Sequence, residues 1–470
     1  MNLKGKHVLV LGMGETGLSI AKWLARQSAS VRVADSRASP PNTAALESLR
    51  PKVEICKGAF DDRIFDDIEL IAMSPGVPMA EPHIQQAIAR GVPVVGDMTL
   101  FQWALALGTA DYRIIAITGT NGKTTVTAMV GAMLKKAGFD VEVAGNIGPA
   151  VLGTLMRRLD SGDLPQVWVL EISSFQLELT AFLNADAATV LNLSEDHLDR
   201  YSCMQDYVMA KAGIFKHETH GAGVQVLNRD DVGSMAMAAV EKAQLTFGLN
   251  KPETPMDFGL VHSHDDVWLA EGDMLLMKTS DLGVNGMHNA ANALAALALC
   301  RALQVPADAL VSALREFKGL PHRMEKVTVL GDVTFIDDSK STNVGATVAA
   351  LNGLQPRVVL IAGGDGKGQD FSPLQDAVAR HVRAVVLIGR DADKIAKAID
   401  GGGVPVLFAT TMQEAVQKSF LLAQRHDVVL LSPACASYDM FRNYMHRARV
   451  FVAAVRALEA KMCGSAEKRR

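Results

Sequence analysis

The chain has 470 residues, 49% hydrophobic and 21% charged, and its 47 Lys and Arg against 51 Asp and Glu give a formal net charge of −4. That balance suits an ordinary folded protein and argues against a nucleic-acid partner, which would call for a concentrated basic face that no Lys/Arg block here supplies. No run of about 18 apolar residues is present to span a membrane, and the length exceeds the roughly 250–300 residues at which one core stops growing, so about three domains are expected.

Lys4 and Lys6 precede only a short apolar run, His7 to Gly12. It is too short for a secretory core and reads as a first strand. Val31–Asp35, Leu70–Ser74 and Val92–Val95 continue as strands between amphipathic stretches, the signature of βαβ units and a parallel sheet. After the first strand comes Gly12-Met-Gly-Glu-Thr-Gly17, and Asp35 ends the second. This spacing places a diphosphate on a helix N-terminus and a carboxylate near a ribose hydroxyl. It suits an NAD dehydrogenase, a domain holding a UDP-sugar, or a structural turn with no ligand.

A second set opens at Ile114–Thr118 and runs directly into Gly119-Thr-Asn-Gly-Lys-Thr-Thr125. Gly119 and Gly122 let the backbone approach an anion, and main-chain N–H groups at a helix start point at it. Lys123 then reaches the β/γ-phosphates of ATP, and Thr124 is placed to ligand Mg²⁺. The spacing departs from Walker A, because Ile117 stands where its first Gly belongs. Glu171 ends the apolar run Val167–Leu170 and is a candidate magnesium ligand from a neighbouring strand. Ala188–Asn192 reads as a further strand. Asn192 to Tyr201 is dense in ligand chemistry, and its His197 is either a metal ligand or hydrogen-bonded scaffold. Residues 250 to 285 alternate polar and apolar as hairpins do, with His262-Ser-His-Asp-Asp266 an exposed turn, and an Ala/Leu-rich helix follows near residue 300.

A third set opens after Gly319-Leu-Pro321, with strands expected at 333–336, 358–362, 384–388, 404–408 and 428–431. Val416, Phe420 and Ala423 fall at helical spacing. Asp337-Asp-Ser-Lys-Ser-Thr-Asn343, Gly363-Gly-Asp-Gly-Lys-Gly368 and Ser432-Pro-Ala-Cys-Ala-Ser-Tyr438 each follow a strand, where open α/β sheets bind ligands. The polar tail after Cys463 is expected to fray. Five cysteines, Cys56, Cys203, Cys300, Cys435 and Cys463, lie far apart without a CxxC pair, which suggests a reducing compartment and a cytoplasmic location.

Together these motifs resemble the Mur ligases of peptidoglycan synthesis over nearly the whole chain. The carriers are Gly119–Thr125, Gly145-Asn-Ile-Gly148, Glu171-Ile-Ser-Ser-Phe-Gln-Leu-Glu178, His288-Asn-Ala-Ala-Asn292 and Leu320-Pro-His-Arg323. Ser173–Gln176, Asp338–Asn343, Gly364–Lys367 and Ser432–Asp439 are most similar to the branch that adds D-glutamate, apart from Tyr444, where Phe is expected in relatives. The resemblance implies an α/β fold of three domains. Residues 1–100 form a Rossmann-like domain for the UDP-substrate, 101–319 a P-loop ATPase-like domain with a mostly parallel sheet, and 320–470 a Rossmann-like domain for the amino acid. It implies ATP contacts from Gly119, Thr120, Asn121, Gly122, Lys123, Thr124, Thr125, Asn289, Asn292, Arg323 and Asp338. Glu15, Thr16, Asp35, Ser36, Arg37, Ser74, Gly76, Asn146, Ser173 and His197 would meet UDP-N-acetylmuramoyl-L-alanine. Lys340, Thr342, Lys367, Ser437, Tyr438 and Tyr444 would form the D-glutamate pocket. Two Mg²⁺ ions would be held by Thr124, Glu171, His197 and a carbamylated Lys211, with Lys123, His197 and Lys211 catalytic. The partners implied are small molecules only, on a monomer whose third domain closes about a hinge near Phe317–Arg323. An NAD oxidoreductase, a non-catalytic nucleotide-binding module, a sister ligase and a folylpolyglutamate synthetase stand as alternatives.

Overall fold

The structure, a computed structural model, describes residues 2–108, 111–284, 286–355 and 357–467. Three sheets organise it. In the first, β1 (His7–Leu11), β2 (Ser30–Asp35), β3 (Glu54–Lys57), β4 (Leu70–Met73) and β5 (Val94–Val95) run parallel in the order β3-β2-β1-β4-β5. The order reverses between β1 and β4, so the turn after β1 opens at a crevice where ligands bind in such sheets.

The second sheet holds β6 (Arg113–Thr118), β7 (Val141–Gly145), β8 (Val167–Glu171), β9 (Ala187–Val190), β10 (Val224–Asn228), β11 (Ala243–Phe247), β12 (Asp257–Ser263), β13 (Asp266–Glu271) and β14 (Met274–Lys278). Its order is β14-β13-β12-β11-β10-β9-β6-β8-β7. Only the last three strands in sequence pair antiparallel, as the polar–apolar alternation there predicts. The expected exposed turn, around His264, joins two of them.

The third sheet orders β15 (Glu325–Leu330), β16 (Val333–Asp337), β17 (Val358–Gly363), β18 (Val382–Ile388), β19 (Val406–Phe408) and β20 (Val428–Leu431) as β15-β16-β20-β17-β18-β19. Only the edge strand β15 is antiparallel. Strands such as β8 and β17 are buried on every residue, which is why they read as continuous apolar runs. β5 and β19 begin two residues later than predicted because Pro93 and Pro405 cannot donate to a ladder. The C-terminal helix runs from Tyr444 to Glu467, beyond the point where fraying is expected, and 468–470 lie outside the described residues.

By contact the chain forms two compact units. One gathers the chain up to Leu193 with Gln205–Thr279 and Asn292–Arg315; the other takes Ser194–Met204, Ser280–Ala291 and the chain from Glu316 onward. The first unit has a shared core, in which Phe101 packs edge-on against Trp168 with centroids 5.0 Å apart. The second carries the third sheet, with the Asp196–His197 segment built onto it.

Candidate active site

At the crevice of the first sheet, Gly12 has φ +92° and the backbone doubles back so tightly that a Cβ on Gly17 would lie 1.8 Å from the Gly12 carbonyl oxygen. Asp35 is buried, and its carboxylate accepts from Met13 N at 2.8 Å, Arg37 N at 3.0 Å, and Arg37 Nε and Nη2 at 2.8 and 2.6 Å. Burial raises its pKa, but these donors outweigh burial and hold the carboxyl below its usual range. Both oxygens of this carboxylate accept bonds that brace the turn, and the exposed group of the pair is the Arg37 guanidinium. Ser74 Oγ reaches the Gly12 carbonyl at 3.5 Å. Glu15, Ser36 and Gly76 are exposed around the same turn, with Thr16 half-buried.

In the second sheet, β6 runs into the glycine loop and the helix Lys123–Lys136, with Gly119 at φ +147° and Gly122 at φ +83°. Asn192, after β9, braces the loop: its carbonyl accepts Thr120 N at 2.8 Å, its Oδ1 accepts Asn121 N at 2.8 Å, and its Nδ2 donates to Asn121 O at 3.1 Å. A Cβ on Gly122 would come within 2.6 Å of Asn292 Oδ1, so the helix bearing Asn292 closes on the loop. Lys123 Nζ folds back to donate to the carbonyls of Gly119 and Thr120, both at 2.8 Å. Thr125 is buried and Thr124 half-buried beside it.

Lys211 is only 2% exposed, and its Nζ donates to Gly119 O at 2.9 Å and Thr118 Oγ1 at 3.4 Å. It lies over the ring of Tyr207, whose hydroxyl is 3.0 Å from Thr120 Oγ1. Glu171, 1% exposed, accepts from Asn146 Nδ2 at 2.7 Å through Oε1, while its buried Oε2 has no hydrogen-bond partner among the described residues. A buried carboxylate oxygen left without a donor beside a phosphate loop fits a hard cation with oxygen ligands. Ser173 follows two residues on, capping the short helix Ser174–Glu178.

In the third sheet β16, β20 and β17 lie side by side and parallel, so the three loops picked from sequence emerge together at one edge. They are also stitched to one another. Ser432 Oγ donates to Asp338 Oδ2 at 2.8 Å, and Asp365 N donates to Ala436 O at 3.0 Å. Burial pushes the Asp338 carboxyl up to about 6, against the pull of hydrogen bonds from Ser341 and Ser432 and the nearby Arg323 charge. His322 Nδ1 is 2.8 Å from Asp337 Oδ2, its N–H donates to Glu325 at 2.8 Å, and Lys340 N donates to its carbonyl at 3.2 Å. Lys340 Nζ sits 4.0 Å from the centre of the Tyr444 ring. Lys367 has φ +54° and pairs with the buried Asp196, which also accepts from Asn343 Nδ2 at 3.4 Å and from His197 N at 3.0 Å. Ser437 is buried and Thr342 half-buried. Tyr438 is 76% exposed, with its ring largely in solvent. Asn289 and His197 also belong to this unit.

Two residues here are absent from the sequence reading. Asp196 lies in the ligand-rich segment from Asn192 to Tyr201, where the sequence singles out only its neighbour His197. Arg447, fully buried, donates through Nε to Ser339 Oγ at 3.0 Å, through Nη1 to Cys435 O at 3.0 Å and through Nη2 to Ser339 O at 2.7 Å. The one available signal was an arginine on the face that carries Ala448, Phe451 and Val455 into the core.

Three domain families match the chain in succession: the MurD-like N-terminal domain of Mur ligases over 6–96, the Mur ligase middle domain over 117–300, and the Mur ligase glutamate ligase domain over 322–435. Among curated relatives, UDP-N-acetylmuramoylalanine–D-glutamate ligase of Nitrosomonas europaea is 58% identical over 468 residues, 99% of each chain. The enzyme of that name from Nitrosospira multiformis is 60% identical over 465 residues, 99% of this chain and 98% of the relative. Among solved structures, UDP-N-acetylmuramate-alanine ligase of Thermotoga maritima shares the fold with a TM-score of 0.60 at 21% identity, covering 96% of this chain and 99% of its own.

Proposed function

The chain belongs to the Mur ligase family, and from that premise we propose that it adds D-glutamate to UDP-N-acetylmuramoyl-L-alanine, converting ATP to ADP and phosphate in peptidoglycan synthesis. The observation that carries the amino-acid end of this reading is the adjacency of β16, β20 and β17, which brings Lys340, Lys367 and Ser437 to one sheet edge in a chain about as long as its glutamate-adding relatives.

A carboxylate is a poor electrophile, because its charge is delocalised and its leaving group would be oxide. An oxygen of the alanyl carboxylate therefore attacks the γ-phosphorus of ATP, and the bond to ADP breaks, leaving an acyl phosphate. The amine of D-glutamate, having lost a proton, then attacks the acyl carbon, and phosphate departs with that oxygen. The protein supplies position and charge. Lys123, released from the Gly119 and Thr120 carbonyls, turns its ammonium to the transferring phosphoryl group. Asn192 and Asn292 hold the loop in shape. Arg37 and the turn after β1 take the diphosphate of the UDP-substrate. Lys367 exchanges Asp196 for a carboxylate of D-glutamate, and Lys340 with the Ser437 and Thr342 hydroxyls provides for the other, since two anions need fixed cations and donors.

Thr124 and the Glu171 oxygen that has no partner among the described residues would hold magnesium, which would supply positive charge against the phosphates. An ammonium at Lys211 would repel such an ion, whereas a carbamate offers it anionic oxygens. We assign Lys211 as carbamylated in the working enzyme, which would hold two ions. The enzyme acts as a cytoplasmic monomer; among the described residues no helix is long and apolar enough to cross a membrane.

Phosphate release measured with each candidate amino acid, with and without UDP-N-acetylmuramoyl-L-alanine, tests the reading. Release that requires both that substrate and D-glutamate is expected, and Lys367→Ala should raise the KM for D-glutamate far more than that for ATP. Preference for L-lysine, diaminopimelate or L-alanine would overturn it.

A further inference from the structure

Asp97 opens the helix Asp97–Leu105 and is 1% exposed. Its Oδ2 accepts from Gln176 Nε2 at 3.0 Å, and its Oδ1 has no hydrogen-bond partner among the described residues. A carboxylate buried against a neutral amide is costly to keep, and burial pushes this one up to about 6. An asparagine would fill the same space more cheaply. What the carboxylate does that an amide cannot is accept only. Gln176 therefore turns its NH₂ toward Asp97 and its Oε1 away, the orientation that the Ser173 backbone N–H on its other side also requires.

On the far side, Oε1 receives Ser173 N at 3.1 Å and Ser173 Oγ at 3.3 Å, while Gln176 N donates to Ser173 Oγ at 3.2 Å. The Ser173 hydroxyl proton and one of its lone pairs are thereby engaged, and a single acceptor position remains on a half-buried side chain. Were the Gln176 amide reversed, Ser173 would keep its proton for the substrate instead.

We propose that Asp97 is a positioning residue that, through Gln176, fixes Ser173 as a hydrogen-bond acceptor and so selects UDP-substrates carrying an N–H at that point. This rests on the reading that Ser173 meets the UDP-substrate. Ser173 lies two residues beyond Glu171, the residue assigned to the metal beside the reacting carboxylate, and the amide N–H of the alanyl residue is the substrate donor nearest that carboxylate. The surrounding contacts make the arrangement stiff. Gly96 N and Thr99 Oγ1 both donate to Leu179 O, at 3.2 and 2.9 Å, docking the start of one helix on the end of the other.

The test compares UDP-N-acetylmuramoyl-L-alanine with its ester analogue, in which L-lactate replaces L-alanine and oxygen replaces the N–H. Dissociation constants and KM are measured for the full-length wild type, Asp97→Asn and Gln176→Met. The wild type should bind the ester at least about tenfold more weakly, because the half-buried acceptor loses its donor. In Gln176→Met the relay is cut, and discrimination should fall to within about threefold; Asp97→Asn, whose amide can either accept from Gln176 or donate to it, should fall between that variant and the wild type. Each variant is read alone if the other fails to fold. Equal losses for both substrates with the wild-type ratio retained would reduce Asp97 to a structural role and overturn the proposal, as would a wild type indifferent to the ester. A wild type that ignores the alanyl substrate altogether would instead refute the proposed function.

Discussion

Arg447 is a buried cation bonded to neutral oxygens, and replacing it separates stability from site geometry. Burial lowers its guanidinium to about 10 from an ordinary value of 12.5, equivalent to about 3 kcal/mol of unfavourable desolvation at 1.36 kcal/mol per unit. Against this stand three charge-assisted hydrogen bonds, each contributing about 1.5–3 kcal/mol. Arg447→Met keeps most of the volume and removes the buried charge, but it leaves the Ser339 and Cys435 carbonyls without that donor, at about 1–3 kcal/mol each. The two effects largely cancel, so urea denaturation should show a loss of no more than about 3 kcal/mol. The geometry does not recover, because the guanidinium is what ties the loop after β16 to the loop after β20. The KM for D-glutamate in a phosphate-release assay should rise at least about tenfold, with the KM for ATP much less affected. Lost stability with an unchanged KM for D-glutamate would show that Arg447 only packs, and the reasoning would fail.

Lys123→Ala should lower turnover by at least about 10²-fold, as expected on losing a transition-state donor; near-normal phosphate release would sink the role of the glycine loop. Lys211→Arg keeps the charge but cannot form the carbamate, so it should be nearly inactive, and full activity in that variant or in wild type depleted of CO₂ would refute the modification. Asp97 gives a pH signature. Its raised pKa means the folded state holds a proton that the unfolded state has released between about pH 4 and 6, so its ionisation destabilises the fold as pH rises through that window. Asp97→Asn should accordingly gain stability relative to wild type at pH 7.5, by up to about 3 kcal/mol, and lose that advantage near pH 4; equal differences at the two pH values in thermal melts would contradict this.

How far the sequence could be read depends on where each partner lies along the chain. β1, β8, β17 and β20 were legible because strands covered on both faces are continuous apolar runs. β3 and β15, at sheet edges, and β7, whose Glu142 pairs with Arg157 at 2.8 Å, carry charged residues that break such a run. β10 is hidden differently: its Gln225 is buried, donating to Met237 O and accepting from Ala239 N at 3.0 and 2.8 Å, so a polar residue sits where the pattern asks for an apolar one. The glycine loop was legible because everything it needs, strand, turn, lysine and helix start, is contiguous. Arg447, Asp196 and Asp97 were not, since their partners Ser339, Lys367 and Gln176 lie 108, 171 and 79 residues away. A charge in an apolar segment reads locally as an interruption; its purpose appears only when the strand order is known. Because β20 inserts between β16 and β17, the loop Ser432–Tyr438 falls between the two lysine-bearing loops, and a helix that follows it can place one guanidinium across the join. That crossover, rather than any local motif, joins three loops at one sheet edge, and it explains why the loops themselves can be named from sequence while the residues that hold them in register cannot.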